Sequence, residues 1–339
     1  MVNKRVALDA RLTRQLSVGM QTYVRELTGR LPKVAPDLEF VTFRRGGNFD
    51  WAEQVRLPLA IRAAKPALTH FMSQYAPVFS PRPYIVTIHD LIHLLFPENF
   101  KSKVGPYYRT VVRFVAARAA RVITDDERTV GDLEHFLKIP SERVRVIPLG
   151  VDDRFLRPTE PHRSERPFFL YAGNHREHKD LGTLFRAWSA LPESIAADLL
   201  LTGEDDVGAA GYSRANGRVA TLGNLSAEEL AGYYAGAVAL VHPALREGFG
   251  LPMLEAMAAG CPVIACADAL PGVLCGAALT FPARDAVVAS EAMRSIVSDQ
   301  GLRTKLVNEG RARAETLTWD RCARATADVY REVLEESSR

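Results

Sequence analysis

The sequence predicts an α/β fold made of two doubly wound parallel sheets. Short apolar β-type runs alternate with helical segments along the chain, and glycines and chemistry-bearing residues cluster directly after those runs. A charged stretch at 157–167 holds Pro158, Pro161 and Pro167 and reads as a linker between two such arrays. Strands separated by helices pair in parallel, because the crossover returns the chain to the same end of the sheet.

In the first half, Lys4 to Asp9 reads as a strand and Val18 to Leu31 as a helix capped by Ser17. Leu38 to Phe43, Ala67 to Phe71, Tyr84 to Ile88, Arg121 to Thr124 and Val144 to Ile147 are further strand runs. Ligands gather outside the carboxyl ends of such strands, where His89 and Asp90 fall. Lys101 to Arg121 reads as a helix from about Pro106, with Tyr108, Val111, Val112, Val115 and Ala119 on one side and Lys101, Lys103, Arg109, Arg113, Arg118 and Arg121 carrying charge. A solvated surface helix and an interfacial membrane helix both fit that pattern.

The second half repeats the rhythm: Phe168 to Ala172, Ala197 to Thr202, Arg218 to Leu222 and Val238 to His242 are strands, with Gly173, Gly203 and Gly223 at their ends. After the first of these, Arg176 and Lys179 arrive just before a helix beginning near Asp180, a placement that suits a diphosphate. Val287 to Ser298, Gly301 to Glu315 and Trp319 to Glu336 are helical by pattern.

Composition bounds the function. The chain of 339 residues is 47% apolar and 24% charged, an ordinary globular balance long enough for two domains. No run of about 18 apolar residues and no signal-peptide pattern is visible, so a cytoplasmic protein is expected. Cys261, Cys266, Cys275 and Cys322 lack any C-x-x-C spacing or nearby His and read as buried free thiols. The first 160 residues carry 25 Lys and Arg against 17 Asp and Glu, and the remainder 18 against 23. The basic half could meet anionic lipid at the inner face of a membrane or a phosphorylated acceptor; no nucleic-acid partner is expected.

The most informative stretch runs from Val238 to Ala265: strand, loop, helix and strand. The helix is expected over about Pro252 to Ala259, with Pro252 as its first residue and Gly260 as a left-handed cap. Glu247 lies in the loop and Glu255 eight residues on, inside the helix. Between them Gly248, Phe249, Gly250 and Leu251 bring bare backbone to the positive end of the helix dipole. Phosphate suits those N–H groups and hydroxyls suit the two carboxylates, and a sugar nucleotide carries both. The dinucleotide fingerprint G-x-G-x-x-G would need a third glycine where Met253 stands, which disfavours a nicotinamide dehydrogenase.

The run Glu247 to Glu255, followed by Ala256, Met257 and Gly260-Cys261-Pro262-Val263, resembles the E-x7-E signature of retaining glycosyltransferases of family 4. The resemblance extends in order along most of the chain. It implies the GT-B fold: two Rossmann-like domains facing a central cleft, an acceptor domain over 1–160, a nucleotide-sugar donor domain over 165–318, and a closing helix over 319–339 that crosses back. It implies that Gly19 faces the donor phosphates and that His89, in a segment similar to the family's HD motif, contacts the donor sugar or lines the acceptor side. Lys179, with Arg176, would hold the diphosphate; Glu247 would hold sugar hydroxyls, Glu255 the ribose, and backbone near Gly223 the base. Relatives transfer hexoses of mannose or glucose type to glycan or lipid-linked acceptors, with no metal or other cofactor.

The chain departs from the family at Leu149, where Asn is usual, at Asp125-Asp126, where a Ser-containing turn is usual, and at Gly272, Cys275 and Gly276 in place of Glu, Gly and Asp. Adjacent Asp pairs at 125–126, 152–153 and 205–206 point in different directions and are not read as metal sites. His175 and His178 read as solvated rather than as a metal pair. A sugar-nucleotide 2-epimerase and a non-catalytic sugar-nucleotide-binding subunit remain as alternatives, and acceptor loops are sought at 44–51, 73–81 and 92–106.

Overall fold

The structure, a computed structural model, describes residues 4–11, 16–44, 46, 53–157, 160–204, 208 and 212–338. It divides into two compact units, Met1–Gly150 with Trp319–Arg339, and Val151–Thr318. The Asp205-Asp206 pair and most of the 44–51 loop lie outside the described residues.

The first unit is built on β1 (Arg5–Asp9), β2 (Glu39–Phe43), β3 (Leu68–Phe71), β4 (Tyr84–Thr87), β5 (Arg121–Thr124) and β6 (Val144–Val146). They form one parallel sheet in the order β2-β1-β3-β4-β5-β6. β3 and β4 are buried at every position, the near-continuous apolar signature of strands covered on both faces. The helix Val18–Val34 buries Tyr23, Val24, Leu27 and Leu31, one stripe at helical spacing. It runs three residues past the expected Leu31 and contains Pro32 in its last turn.

The segment read as a helix from Pro106 starts at Val104, passes through a π-turn at Tyr108–Val112 and ends at Arg118, while Arg121 belongs to β5. Its Tyr108, Val112, Val115 and Ala116 lie in the core with Leu133 and Leu137. The apolar side is therefore spent inside the unit. What it exposes is charge and Phe114, over whose ring the Arg118 guanidinium sits at 5.0 Å.

The C-terminal helix Trp319–Ser338 belongs to this first unit although 168 residues separate it from Gly150 in the chain. It buries Trp319, Cys322, Ala323, Tyr330 and Val333. Its Glu332 accepts from Arg121 at 2.7 Å and also pairs with Arg145, and its Arg331 pairs with Asp37 at 2.6 Å.

The second unit holds β7 (Phe168–Tyr171), β8 (Asp198–Leu201), β9 (Ser213–Arg214), β10 (Gly217–Thr221), β11 (Ala239–His242), β12 (Val263–Cys266) and β13 (Leu279–Phe281). The order is β13-β12-β11-β7-β8-β10-β9, parallel except for the short antiparallel pair β9–β10. From β7 the chain builds outward through β8 and β10, then returns to add β11 on the other side. The loops after β7 and β11 therefore leave in opposite directions, and the crevice between them is where an open α/β sheet takes its ligand.

The stretch read as a linker packs within this unit. His162 N–H donates to the Gly232 carbonyl at 2.8 Å, and the His162 ring stacks on Tyr233 at 4.0 Å. That helix, Ala227–Gly236, starts with a capping box between Ser226 and Glu229.

Candidate functional site

Two loops meet at the switch point of the second unit. The first leaves β7 through Gly173, whose φ of +150° an L side chain rarely adopts, and turns through a short 3-10 segment at Glu177–Lys179. Asp180, left-handed at φ 50°, then starts the helix Leu181–Ser189. The second loop leaves β11 at His242 and runs to Gly250, the N-cap of the helix Leu251–Ala258. The loops are joined by Leu245 N–H donating to the His178 carbonyl at 2.8 Å.

At that junction the Lys179 ammonium donates to Glu247 Oε1, and His242 Nε2 reaches the same oxygen at 2.7 Å. Lys179 is 7% exposed and His242 1%, so the pair is largely out of water. Burial alone would raise the Glu247 carboxyl pKa; the Lys179 charge and the His242 hydrogen bond outweigh it and hold the group below its usual range. A carboxylate here is ionised and fixed. The two residues that sequence assigned to donor phosphate and sugar are thus brought into direct contact.

The helix that follows differs from expectation at its start. Gly250 adopts φ 80° in the left-handed region, Leu251 is the first helical residue, and Pro252 is second. Pro252 has no N–H, and the Met253 N–H is taken by the Gly250 carbonyl at 3.0 Å, so the N–H groups from Gly250 to Met253 are not all available. Gly250 and Leu251 remain as donors that make no hydrogen bond among the described residues. Phe249 is buried beneath the loop at 3% exposure and Met253 fully, which fixes the loop from below. The helix ends one residue early at Ala258, with Gly260 at φ 78° and Cys261 N–H returning to the Ala256 carbonyl at 2.8 Å.

Glu255 does not join the Lys179 cluster. Its Oε2 accepts from the Tyr234 hydroxyl at 3.2 Å, and burial pushes its pKa up to about 7. Arg176 caps the 3-10 turn with its side chain exposed. Gly223, at φ 70°, exchanges backbone hydrogen bonds with Gly203, so the β8 and β10 ends are tied together. Against expectation His178 is buried at 3% exposure, while the half-buried His175 bonds the Thr202 carbonyl through Nε2 at 2.8 Å.

His89 and Gly19 lie in the first unit. His89 follows β4 and places Nδ1 2.6 Å from Asp125 Oδ2, with Tyr23 edge-on to its ring at 4.7 Å. Burial would lower the His89 pKa, but the Asp125 charge outweighs it and the imidazole is raised. Asp126 turns the other way, capping Glu127–Asp132 through the Arg128 N–H and pairing with Arg128 at 2.6 Å. Asp90 accepts from the Ile92 N–H, and His93 stacks on Tyr108 at 5.0 Å. Gly19 sits in the first turn of the helix Val18–Val34, beside the cap made by Ser17 to the Met20 N–H at 3.3 Å.

Sequence reasoning missed His242 and Tyr234. In the sequence His242 stands only as the last residue of a strand, which places its side chain beside the loop that the strand feeds. Cys275 is also exposed rather than buried, in contrast to Cys261, Cys266 and Cys322. Among the described residues no three His, Cys, Asp or Glu side chains are arranged to hold a metal ion.

Comparison with known proteins points the same way. The family described as Glycosyl transferases group 1 matches residues 152–313, and that described as Glycosyltransferase Family 4 matches residues 33–155. The O-antigen chain mannosyltransferase B of Escherichia coli is 26% identical over 292 residues, covering 80% of this chain and 76% of that protein. The MMP alpha-(1->4)-mannosyltransferase of Mycolicibacterium hassiacum is 31% identical over 235 residues, covering 65% of this chain and 56% of its own length. Among solved structures, Anabaena Alr3699/HepE in complex with UDP-glucose superposes with a TM-score of 0.73 at 15% identity, covering 97% of this chain and 99% of that one. With two doubly wound sheets, both family matches end to end and these relatives, the chain belongs to the family 4 glycosyltransferases, enzymes of the GT-B fold.

Proposed function

We propose that this enzyme moves a hexose of mannose or glucose type from a nucleoside diphosphate sugar to a glycan or lipid-linked acceptor, with retention of anomeric configuration and without a metal. The observation that carries the reading is the contact of Lys179 with an ionised Glu247 at the switch point, beside the backbone donors of Gly250 and Leu251. Departure of a nucleoside diphosphate builds negative charge on the leaving phosphate. A fixed cation and backbone N–H groups stabilise that charge more in the transition state than in the ground state.

In this reading Lys179 and the Gly250 and Leu251 N–H groups receive the diphosphate, and Arg176, exposed at the mouth of the same loop, adds a second cation. Glu247, as acceptor only, takes hydrogen bonds from sugar hydroxyls. Glu255 takes the ribose, and the backbone at Gly223 borders the base. His89 contributes an imidazole held by Asp125 to the sugar or acceptor. The O-antigen and MMP relatives are named mannosyltransferases and one structural neighbour holds UDP-glucose, which motivates both hexose types and UDP as one carrier, with GDP tested beside it.

The test is a melting-temperature panel with UDP, GDP and their hexose conjugates, with and without EDTA, followed by the anomeric configuration of the product by NMR. A ligand that binds only the folded state raises the melting temperature by mass action. A shift that survives EDTA and a retained anomer support the proposal; no shift with any nucleotide, or an inverted product, would sink it. Contact with anionic lipid would rest on the exposed Lys101, Lys103, Arg109, Arg113 and Phe114, and is tested by cosedimentation with anionic vesicles at low salt.

A further inference from the structure

His242 closes β11 at 1% exposure and does not need its imidazole to fill space, since a leucine would satisfy a strand buried at every position. Its ring lies parallel to Tyr171, 15° between planes and 6.3 Å between centroids. Tyr171 in turn donates through its hydroxyl to the Asn174 carbonyl at 2.5 Å, in the loop that carries Lys179. The imidazole is therefore oriented by one loop and aimed at the other.

A carboxylate only accepts, so Nε2 must be the protonated nitrogen. The remaining nitrogen, Nδ1, is buried with no partner. A lone pair there is tolerable. A second N–H would be an orphan donor, so the geometry places the donating N–H at Nε2.

Glu247 Oε1 thus has two donors, and the proposed chemistry asks one of them to leave. When the donor diphosphate arrives, Lys179 is the group that can serve it, and its departure would strip a buried carboxylate of the one Lys or Arg that pairs with it among the described residues. We propose that His242 is a positioning residue for glycosyl transfer, whose Nε2–H holds the Glu247 carboxylate in place and ionised while Lys179 is engaged with the donor's diphosphate. This rests on the reading of the site given above.

The test compares His242→Leu with His242→Gln. Both lose the stacking on Tyr171, so a purely structural role moves both together. Gln keeps an N–H near the reach of Nε2, and Leu does not. The expected result is that His242→Leu lowers kcat by about 100-fold, as misplacement of a reacting group near 1 Å does, while His242→Gln returns to within about tenfold of the wild type at a similar melting temperature. Equal kcat in the two folded variants, whether both normal or both low, overturns the proposal. A wild type that turns over no UDP- or GDP-hexose instead defeats the transferase reading and the inference with it. Imidazole 15N NMR of the unliganded wild type gives a readout independent of turnover: His242 as a fixed Nε2–H tautomer supports the proposal, and an Nδ1–H tautomer refutes it.

Discussion

Replacing Lys179 by Met separates the two things the ion pair does, because it leaves Glu247 buried with His242 as its one remaining side-chain partner among the described residues. Removing one member of a buried pair costs about 3–5 kcal/mol, and the remaining hydrogen bond places this case near the lower end, about 3 kcal/mol. For a unit of the size of 151–318, that is a fall of about 6–12 °C in melting temperature. The pH dependence has a definite sign. In the wild type the Glu247 pKa is depressed below its ordinary 4.5, so its contribution is present above that value and lost only as pH falls through the lower, folded value. In Lys179→Met the ammonium's attraction is gone and burial is opposed by the His242 hydrogen bond, so the carboxyl pKa rises from its depressed wild-type position while the group stays ionised at pH 7–8. The variant then regains stability as pH falls and the carboxyl protonates. The gap between wild type and variant should be widest at pH 7–8 and narrow toward pH 5, and Lys179→Met with Glu247→Gln should recover most of the loss at pH 8. A gap that is constant from pH 8 to pH 5, or a double variant whose loss is the sum of the singles, would refute the reasoning. In turnover, both Lys179→Ala and Glu247→Ala should fall by orders of magnitude while staying folded.

Three other changes test neighbouring parts. Glu255, raised to about 7 by burial, should make the protein less stable as pH rises through that value; Glu255→Gln should melt above the wild type at pH 8, match it at pH 5, and bind UDP or GDP more weakly, as calorimetry can read. Gly250→Ala forces a left-handed φ on an L residue and drives a Cβ into Met253, so it should cost about 1–3 kcal/mol and show as a lowered urea midpoint. Cys275 is the exposed thiol, whereas burial pushes Cys261 up to about 12, so titration with a thiol reagent should give one fast equivalent that Cys275→Ser removes.

The strands were legible because a parallel strand covered on both faces is a short apolar run with little else in it, as Tyr84–Thr87 and Phe168–Tyr171 are. What blurred was their ends. Ala67 and Ile88 are apolar but lie just outside β3 and β4, since hydropathy does not mark where the ladder stops. The helix Ala227–Gly236 was passed over although Ser226 and Glu229 spell a capping box, and Glu53–Ala64 was passed over with Pro58 inside it. The segment with three prolines looked like a free linker because proline interrupts helices. Here its part from Glu160 to His162 lies along a helix that Gly232 and Gly236 keep bare on that side: a Cβ at Gly236 would strike the His162 carbonyl, and one at Gly232 would crowd the Glu160 carbonyl at 3.3 Å. Periodicity within one element carries no sign of a neighbour packed against it.

The site was legible in the same uneven way. Glu247, Gly250 and Lys179 could be found from local chemistry, because a glycine that must turn left-handed and a charge at a helix start are both local properties. The contact between Lys179 and Glu247 is not local. It follows from strand order, since β7 and β11 are 68 residues apart from Tyr171 to Ala239 and become neighbours only when the chain reverses its direction of winding. His242 shows why that matters. Nothing in its sequence context separates it from a buried histidine satisfied by a carbonyl, and its meaning comes from the partner that the sheet order delivers. The strand-order reversal that joins the two loops also sets two donors, Lys179 and His242, around one carboxylate oxygen, and in the proposed reading a site so arranged stays closed on itself until a diphosphate competes for the lysine.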